Sequence, residues 1–327
     1  MKKVIAVLAV IVILAGCSQI APPLPSGDAP VLESTDLPEP TEALAAVSTE
    51  SPVSTPSFIL AVKAGMSDVE NSQNSFPYEQ VVDLLDIAKV GKLSGVVFHQ
   101  HRKTLFAVSD TGYITELKTD GTIIQKERIR KKADFEGIAY SPETGSLYVI
   151  IEGDDVILEI SSETLEIMRM IPIDRMFEGT VLLAPEGNGI EGITYVPDGS
   201  GPSNSTFYLV NQSRKLEGTD PSIVFEVAVS HETNNSEAKI VRYFSLGVTD
   251  LSGIHYDPSS ERLFVISDAN NLLLEVSLNG QVLHTYPLPG KRQEGITIDE
   301  HGFLYIAQDT KTKLLKFRPD SVSGQNE

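Results

Sequence analysis

The chain of 327 residues has one cysteine and no tryptophan, and its 26 lysines and arginines face 45 aspartates and glutamates. A single cysteine excludes any disulfide within the chain. The shortage of basic residues argues against a nucleic-acid partner, whose phosphates must be neutralised by lysine and arginine. The N-terminal apolar run, Val4–Leu14, has eleven residues, where a helix spanning a bilayer needs roughly 20. The motifs GxSxG, HExxH, CxxC and the phosphate-binding glycine loop are absent, so those chemistries have no support. From about Pro77 onward no segment carries the 3.6-residue stripe of an amphipathic helix.

What the N-terminus does contain is Lys2 and Lys3, then the short apolar run, then Leu14-Ala15-Gly16-Cys17. Small residues closing a short apolar segment fit a secretory signal better than a buried helix. The sequence LAGC resembles the bacterial lipobox, which implies cleavage before Cys17, a diacylglycerol thioether on its sulfur, and export. The expected product is lipid-anchored in the cell membrane or the outer membrane and faces the extracytoplasmic side. Losing residues 1–16 removes two lysines, so 24 basic residues face 45 acidic ones and the net charge moves from −19 to −21. That excess favours cations or basic surfaces as partners. Residues 17–76 read as a tether: Ser18 to Ser75 holds eight prolines and no basic residue before Lys63, too little apolar surface to offset ordering entropy. Only FILAVKA, from Phe58, has the composition of a short ordered piece. Such a tether holds a folded domain on the order of 40 Å from the membrane.

Residues 77–319 alternate apolar and polar positions in short runs divided by turn residues, the pattern of antiparallel strands; 320–327 read as a flexible tail. FEGIAYSP, GIEGITYVP, RQEGITIDE, KLSGVVFH and DLSGIHYDP repeat one theme, with Gly95, Gly137, Gly192, Gly253 and Gly295 separated by 42, 55, 61 and 42 residues. A period near 40 to 45 with four strands per unit is the signature of a β-propeller. The fourth unit can be written out as LSGIHYD, RLFVISD, LLLEVSL and QVLHTYPL. The fifth lacks a fourth strand, and YEQVVDLLDI near the start of the domain is expected to supply it and close the ring, removing exposed edges. The expectation is an all-β propeller of five blades of four antiparallel strands, with six blades as the alternative.

In that architecture the start of each inner strand and the end of each second strand share one face. The residues before the glycines are Ser94, Glu136, Glu191, Ser252 and Glu294; the second strands end at Asp110, Glu152, Gln212, Asp268 and Asp309. Polar residues at these places either cap strands or face a ligand. Seven carboxylates around one narrow mouth repel by roughly 2 to 3 kcal/mol per close pair, which raises pKa values or demands a counterion. Two positions before each polar residue stand Lys92, Asp134, Gly189, Asp250 and Arg292, so two basic groups are offset by two acids. A bound cation is the simpler remedy, and hard oxygen donors select calcium or magnesium, with the crowded, flexible set favouring calcium. The expected metal ligands are Glu136, Glu191, Glu294, Asp110, Glu152, Asp268 and Asp309, with Ser94, Ser252, Gln212 and Arg292 toward a small-molecule or protein ligand. The lead-in FEGTVLLAPEGNG and the turn SRKLEGTDPS of the third unit are expected on the same face. His99 and His101 fall in a turn on the opposite face and are expected to be solvated; His255 is expected in the core, and Tyr140, Tyr195 and Tyr256 as packing.

At EGI and SGI strand starts, LFAVSD, LYVIIE and LFVISD second strands and LEV or LEI third strands, the chain resembles the SdiA-regulated proteins, bacterial envelope β-propellers related to NHL-repeat proteins. The resemblance covers about Tyr78 to Phe317 and implies an exported propeller without an assigned reaction, with calcium at the channel as in related propellers. Propeller lactonases carry EGP where this chain has EGI, and calcium-dependent propeller phytases cradle phosphate with several basic residues, here at most Lys92, Arg292, Arg214 and Lys215. A metal-dependent hydrolase of phosphate esters or lactones, with Glu136, Glu191 or Glu294 as general base, is therefore the alternative to a binding module.

Overall fold

The computed structural model describes residues 74–84, 92–184, 189–202, 204–229, 237–309 and 313–320. The expected signal segment, Cys17, the expected tether up to residue 73 with FILAVKA, and residues 321–327 lie outside the described residues. Among the described residues every regular element is a strand, as the period-two pattern predicts, and no helix is long and apolar enough to cross a membrane.

Besides a two-stranded ribbon of Met176–Phe177 and Thr180–Val181, strand pairing among the described residues gives five units of four strands, three as separate sheets and two joined edge to edge in one eight-stranded sheet. Their first strands are Leu93–His99, Phe135–Ser141, Ile190–Val196, Leu251–Asp257 and Gln293–Ile298. Each pairs antiparallel with the next strand in sequence. The fifth unit is completed by Tyr78–Leu84, which pairs antiparallel with Lys313–Pro319 through Tyr78↔Pro319 and Leu84↔Leu314. The outer strands of units two and three also touch in parallel, at Ala238↔Ile173 and Lys239↔Asp174.

The apolar face of each sheet needs cover, and the neighbouring unit provides it. Five separate cores result, each shared by two adjacent units. Phe106 and Val108 of unit one pack with Phe135, Ile138 and Leu147 of unit two. Tyr148 and Ile150 of unit two meet Phe207, Leu209 and Phe225 of unit three. Val210 and Phe244 meet Leu263 and Val265, Phe264 and Ile266 meet Ile306 and Phe317, and Tyr305 and Leu314 return to Leu93 and Leu105. Face-to-face sheets packed in this way bury large aliphatic and aromatic side chains completely, and the circle of cores leaves no unit without two neighbours.

The glycines close the circle at its centre. A Cβ on Gly95 would meet the Glu136 carbonyl oxygen at 2.5 Å, and one on Gly137 the Ile193 nitrogen at 2.8 Å. The sequence continues from Gly192 to the Ile254 nitrogen at 3.2 Å, from Gly253 to the Glu294 oxygen at 2.7 Å, and from Gly295 back to the Val96 nitrogen at 2.8 Å. The obstacle at Gly137 is backbone, which cannot swing aside. Gly137→Ala should therefore cost about 1–3 kcal/mol through overpacking, read from urea unfolding; unchanged stability would mean that the inner strands do not approach so closely.

Each third strand of units one to four also carries a glutamate, the Glu of TEL, LEI, FEV and LEV, buried at Glu116, Glu159 and Glu275 and partly exposed at Glu226. Glu116 accepts from Arg102 Nε and Nη2, both at 2.8 Å, and Glu159 from Arg169 Nε at 2.7 Å. Glu226 pairs with Arg242 at 2.7 Å, and Glu275 with Arg262. These carboxylates are neutralised within the fold and stand apart from the acids at the mouth.

Candidate metal centre

The repeated motif acquires a structural meaning at the register shifts. In every unit the pairing of the first and second strands slips where the motif lies: between Leu93 and Gly95, Phe135 and Ile138, Ile190 and Gly192, Leu251 and Gly253, and Gln293 and Gly295. The extra residue is Ser94, Glu191, Ser252 or Glu294, and in unit two the pair Glu136–Gly137. A β-bulge re-aims the side chain it carries. Glycine lets the strands approach; the bulge sets the polar residue at the rim of the axis.

A second repeated contact joins the strand ends to that rim. The backbone N–H of Asp110 donates to the Lys92 carbonyl at 3.3 Å, Glu152 to Asp134 at 2.9 Å, Gln212 to Gly189 at 3.0 Å, Asp268 to Asp250 at 3.0 Å, and Asp309 to Arg292 at 3.1 Å. The two predicted columns thus converge on one face, five times. The cavity at the axis is lined by Ser94, Glu191, Glu294 and the five glycines with their following residues, and has room for about one water molecule.

The acids are unevenly distributed around the mouth. Ligand atoms of Asp134, Glu136 and Glu152 all lie within 4.8 Å of one another. Gly189 makes this possible, because a Cβ there would strike Glu152 Cγ at 2.3 Å. Burial first, then Glu191 and Asp134, push the Glu136 carboxyl well above its usual range. Burial, then Glu152, Glu294 and Asp250, do the same to Glu191. Glu294 is pushed up to about 7 by burial, then by Asp268, Asp309 and Asp250, with Arg292 opposing. Asp110, Glu152 and Asp250 are also raised, in each case chiefly by burial. One carboxylate oxygen on each of Asp134, Asp250 and Asp309 is buried without a hydrogen-bond partner, and Asp250 is only 6% exposed. Orphaned acceptors among mutually repelling acids fit a hard cation bound by oxygen, as in calcium or magnesium sites.

Asp134 and Asp250 were legible only as partial offsets to Lys92 and Arg292; the structure makes them members of the acidic group. Their signal was present in the column two residues before the bulge. Of the expected ligands, Asp309 is already engaged, by Arg292 at 2.9 Å and Lys92 at 3.5 Å, and Asp268 accepts the Gln293 N–H at 3.0 Å. Gln212 hydrogen-bonds Asp250. Ser252 donates to the Gln293 carbonyl at 2.6 Å, which joins two units and matches the capping role, while Ser94 lines the cavity.

The two insertions of the third unit meet, with the Ala184 N–H donating to Asp220 Oδ1 at 3.4 Å; 185–188, within the lead-in, lie outside the described residues. On the other face His101 is exposed as expected, but His99 is not solvated. It is 3% exposed and stacks on Tyr140 with ring centroids 3.8 Å apart, because the apolar inter-unit core extends under that turn.

Among solved structures, the chain is similar to the glutaminyl cyclase of Myxococcus xanthus, at 15% identity and a TM-score of 0.50 over 75% of this chain and 97% of the other. It is also similar to a streptogramin B lyase, at 13% identity and a TM-score of 0.47 over 74% and 98%. At such identities the first likeness speaks to the fold alone. The sequence model of the SdiA-regulated family matches residues 70–312, which take in nearly all five units and every acid of the mouth, and the chain belongs to that family.

Proposed function

We propose that this protein is a membrane-tethered extracytoplasmic lipoprotein whose five-bladed propeller binds a divalent cation, calcium by its donor set, at the acidic axial mouth and so serves as a ligand- or protein-binding module. The observation that carries the reading is the convergence of Asp134, Glu136 and Glu152 within 4.8 Å, with a buried, unpartnered oxygen on Asp134. Titration calorimetry of the full-length protein in detergent should find saturable calcium binding that Glu152→Gln weakens. Binding unaltered by that change would place the ion elsewhere, and no binding would remove the reading. The tether rests on LAGC at Cys17: Cys17→Ala should release the protein from the membrane fraction or stop its maturation, and full membrane retention would contradict the anchor.

One observation favours a second reading as a metal-dependent hydrolase. Glu294, held near 7, lies where a general base works best at neutral pH. Turnover of phosphate esters or lactones with calcium, lost in Glu294→Gln, would support it, whereas retained calcium binding without turnover leaves the binding module.

A further inference from the structure

Acids stand all round the mouth, and at one seam they meet basic side chains. At the seam between units five and one, two cations share a single carboxylate: Lys92 Nζ stands 3.5 Å and Arg292 Nη1 2.9 Å from Asp309 Oδ2. Both side chains are 60% exposed while Asp309 is 15% exposed. Arg292 also opposes the upward push on Glu294, and Lys92 the push on Asp110, so both cations belong electrostatically to the mouth. Arg292 sits in the left-handed region, with φ of +54°, unusual for a long side chain. Its counterpart in unit four, Asp250, shares that conformation, with φ of +61°. Guanidinium and ammonium groups turned to solvent beside a metal site suit an oxyanion, because arginine donates through several N–H groups at once. Without metal the surrounding acids would repel such a ligand; a dication held by Asp134, Glu136 and Glu152 would cancel that repulsion.

We propose that, resting on the cation-binding reading above, the mouth takes an anionic small molecule through a carboxylate or phosphate group held between the metal at Asp134, Glu136 and Glu152 and the side chains of Lys92 and Arg292. Asp309 then acts as an internal competitor, occupying the two cations until the oxyanion arrives. The ligand class is a metal-dependent oxyanion, and neutral sugars or cationic peptides are excluded from this role.

The test uses the full-length protein in detergent, with phenyl phosphate and benzoate as probes that separate the two oxyanion types. Either probe should bind in calcium and not in chelator. Lys92→Gln with Arg292→Gln should weaken that binding by about 100-fold, the loss expected for two charge-assisted hydrogen bonds, with calcium affinity kept or slightly raised. Asp309→Asn, which frees both cations, should tighten the probe by about ten-fold, as expected when one such bond no longer competes; a purely structural role for the pair predicts no gain. Folding of each variant is checked by its thermal melt, and Arg292→Lys keeps the charge should the double variant fail to fold; it is expected to retain probe binding more strongly than Arg292→Gln. Calcium binding with no probe binding, probe binding equal in the presence of chelator, or equal affinity in Arg292→Lys and Arg292→Gln would overturn the inference while leaving the cation site standing. Absence of calcium binding in the wild type would overturn the cation-binding reading itself.

Discussion

Without metal, replacing Glu294 by glutamine should change from harmful to beneficial as pH rises, moving the stability difference from wild type by about 3 kcal/mol between pH 4.5 and 8. Glu294 titrates at 4.5 in an ordinary setting and at about 7 in the fold, raised by burial and then by Asp268, Asp309 and Asp250. In that window the folded state holds a proton that the unfolded state has lost, so stability falls as pH rises. A displacement of about 2.5 units at 1.36 kcal/mol each gives the magnitude. The contribution is fully present below pH 4.5 and gone above about 7. Glu136 and Glu191, raised by burial and by neighbouring acids, act in the same direction. Two histidines oppose them. Desolvation lowers both His99 and His255 to about 4 from 6.5, so their contribution is present above pH 6.5 and lost on acidification. Comparing wild type with Glu294→Gln cancels the histidines, and urea unfolding in chelator at several pH values checks the result. A difference that stays constant with pH would mean that Glu294 is not held protonated by the fold.

Deleting Phe76–Leu84 should remove about 3–5 kcal/mol of stability or abolish cooperative unfolding. The strand supplies six paired positions along Lys313–Pro319. Phe76 lies edge-on to Phe317 at 5.5 Å, and Tyr78 packs on the same core. Burying two aromatic side chains, even in part, is worth a few kcal/mol, and the deletion would also expose the unpaired edge of Lys313–Pro319. The Arg318–Glu79 pair is exposed on both sides and adds little. Circular dichroism melts of the truncated chain would decide this, and an unchanged midpoint would refute ring closure by this strand.

Much of the fold was legible because its repeats are short and locally encoded. LSGIHYD, RLFVISD, LLLEVSL and QVLHTYPL coincide with strands at Leu251–Asp257, Arg262–Ser267, Leu272–Ser277 and Val282–Pro287 to within a residue or two. The closing strand was legible from a deficit, since the fifth unit has one strand too few. The bulge was not: a register shift depends on the partner strand, and a glycine in a strand signals equally a bend, a bulge or a close approach. Here it serves the last two together. Nor could the sequence separate Asp309, tied to Lys92 and Arg292, from Glu152, which lies free of such a pair over Gly189. Both end their strands with the same chemistry, and only the neighbouring unit distinguishes them. His99 was misjudged for the same reason, because Tyr140, which covers it, comes from the next unit.

The cation site is tested most directly by thermal melts of the wild type and of a variant carrying Asp134→Asn, Glu136→Gln and Glu152→Gln, each in calcium and in chelator. At free calcium 100 times its dissociation constant the wild type should gain about 2.7 kcal/mol. For a domain of this size that raises the midpoint by roughly 5–10 °C. The variant should lose most of that gain and melt higher than wild type in chelator, because three acids no longer repel one another. Equal calcium shifts in the two proteins, or no shift in either, would contradict a cation held at the mouth.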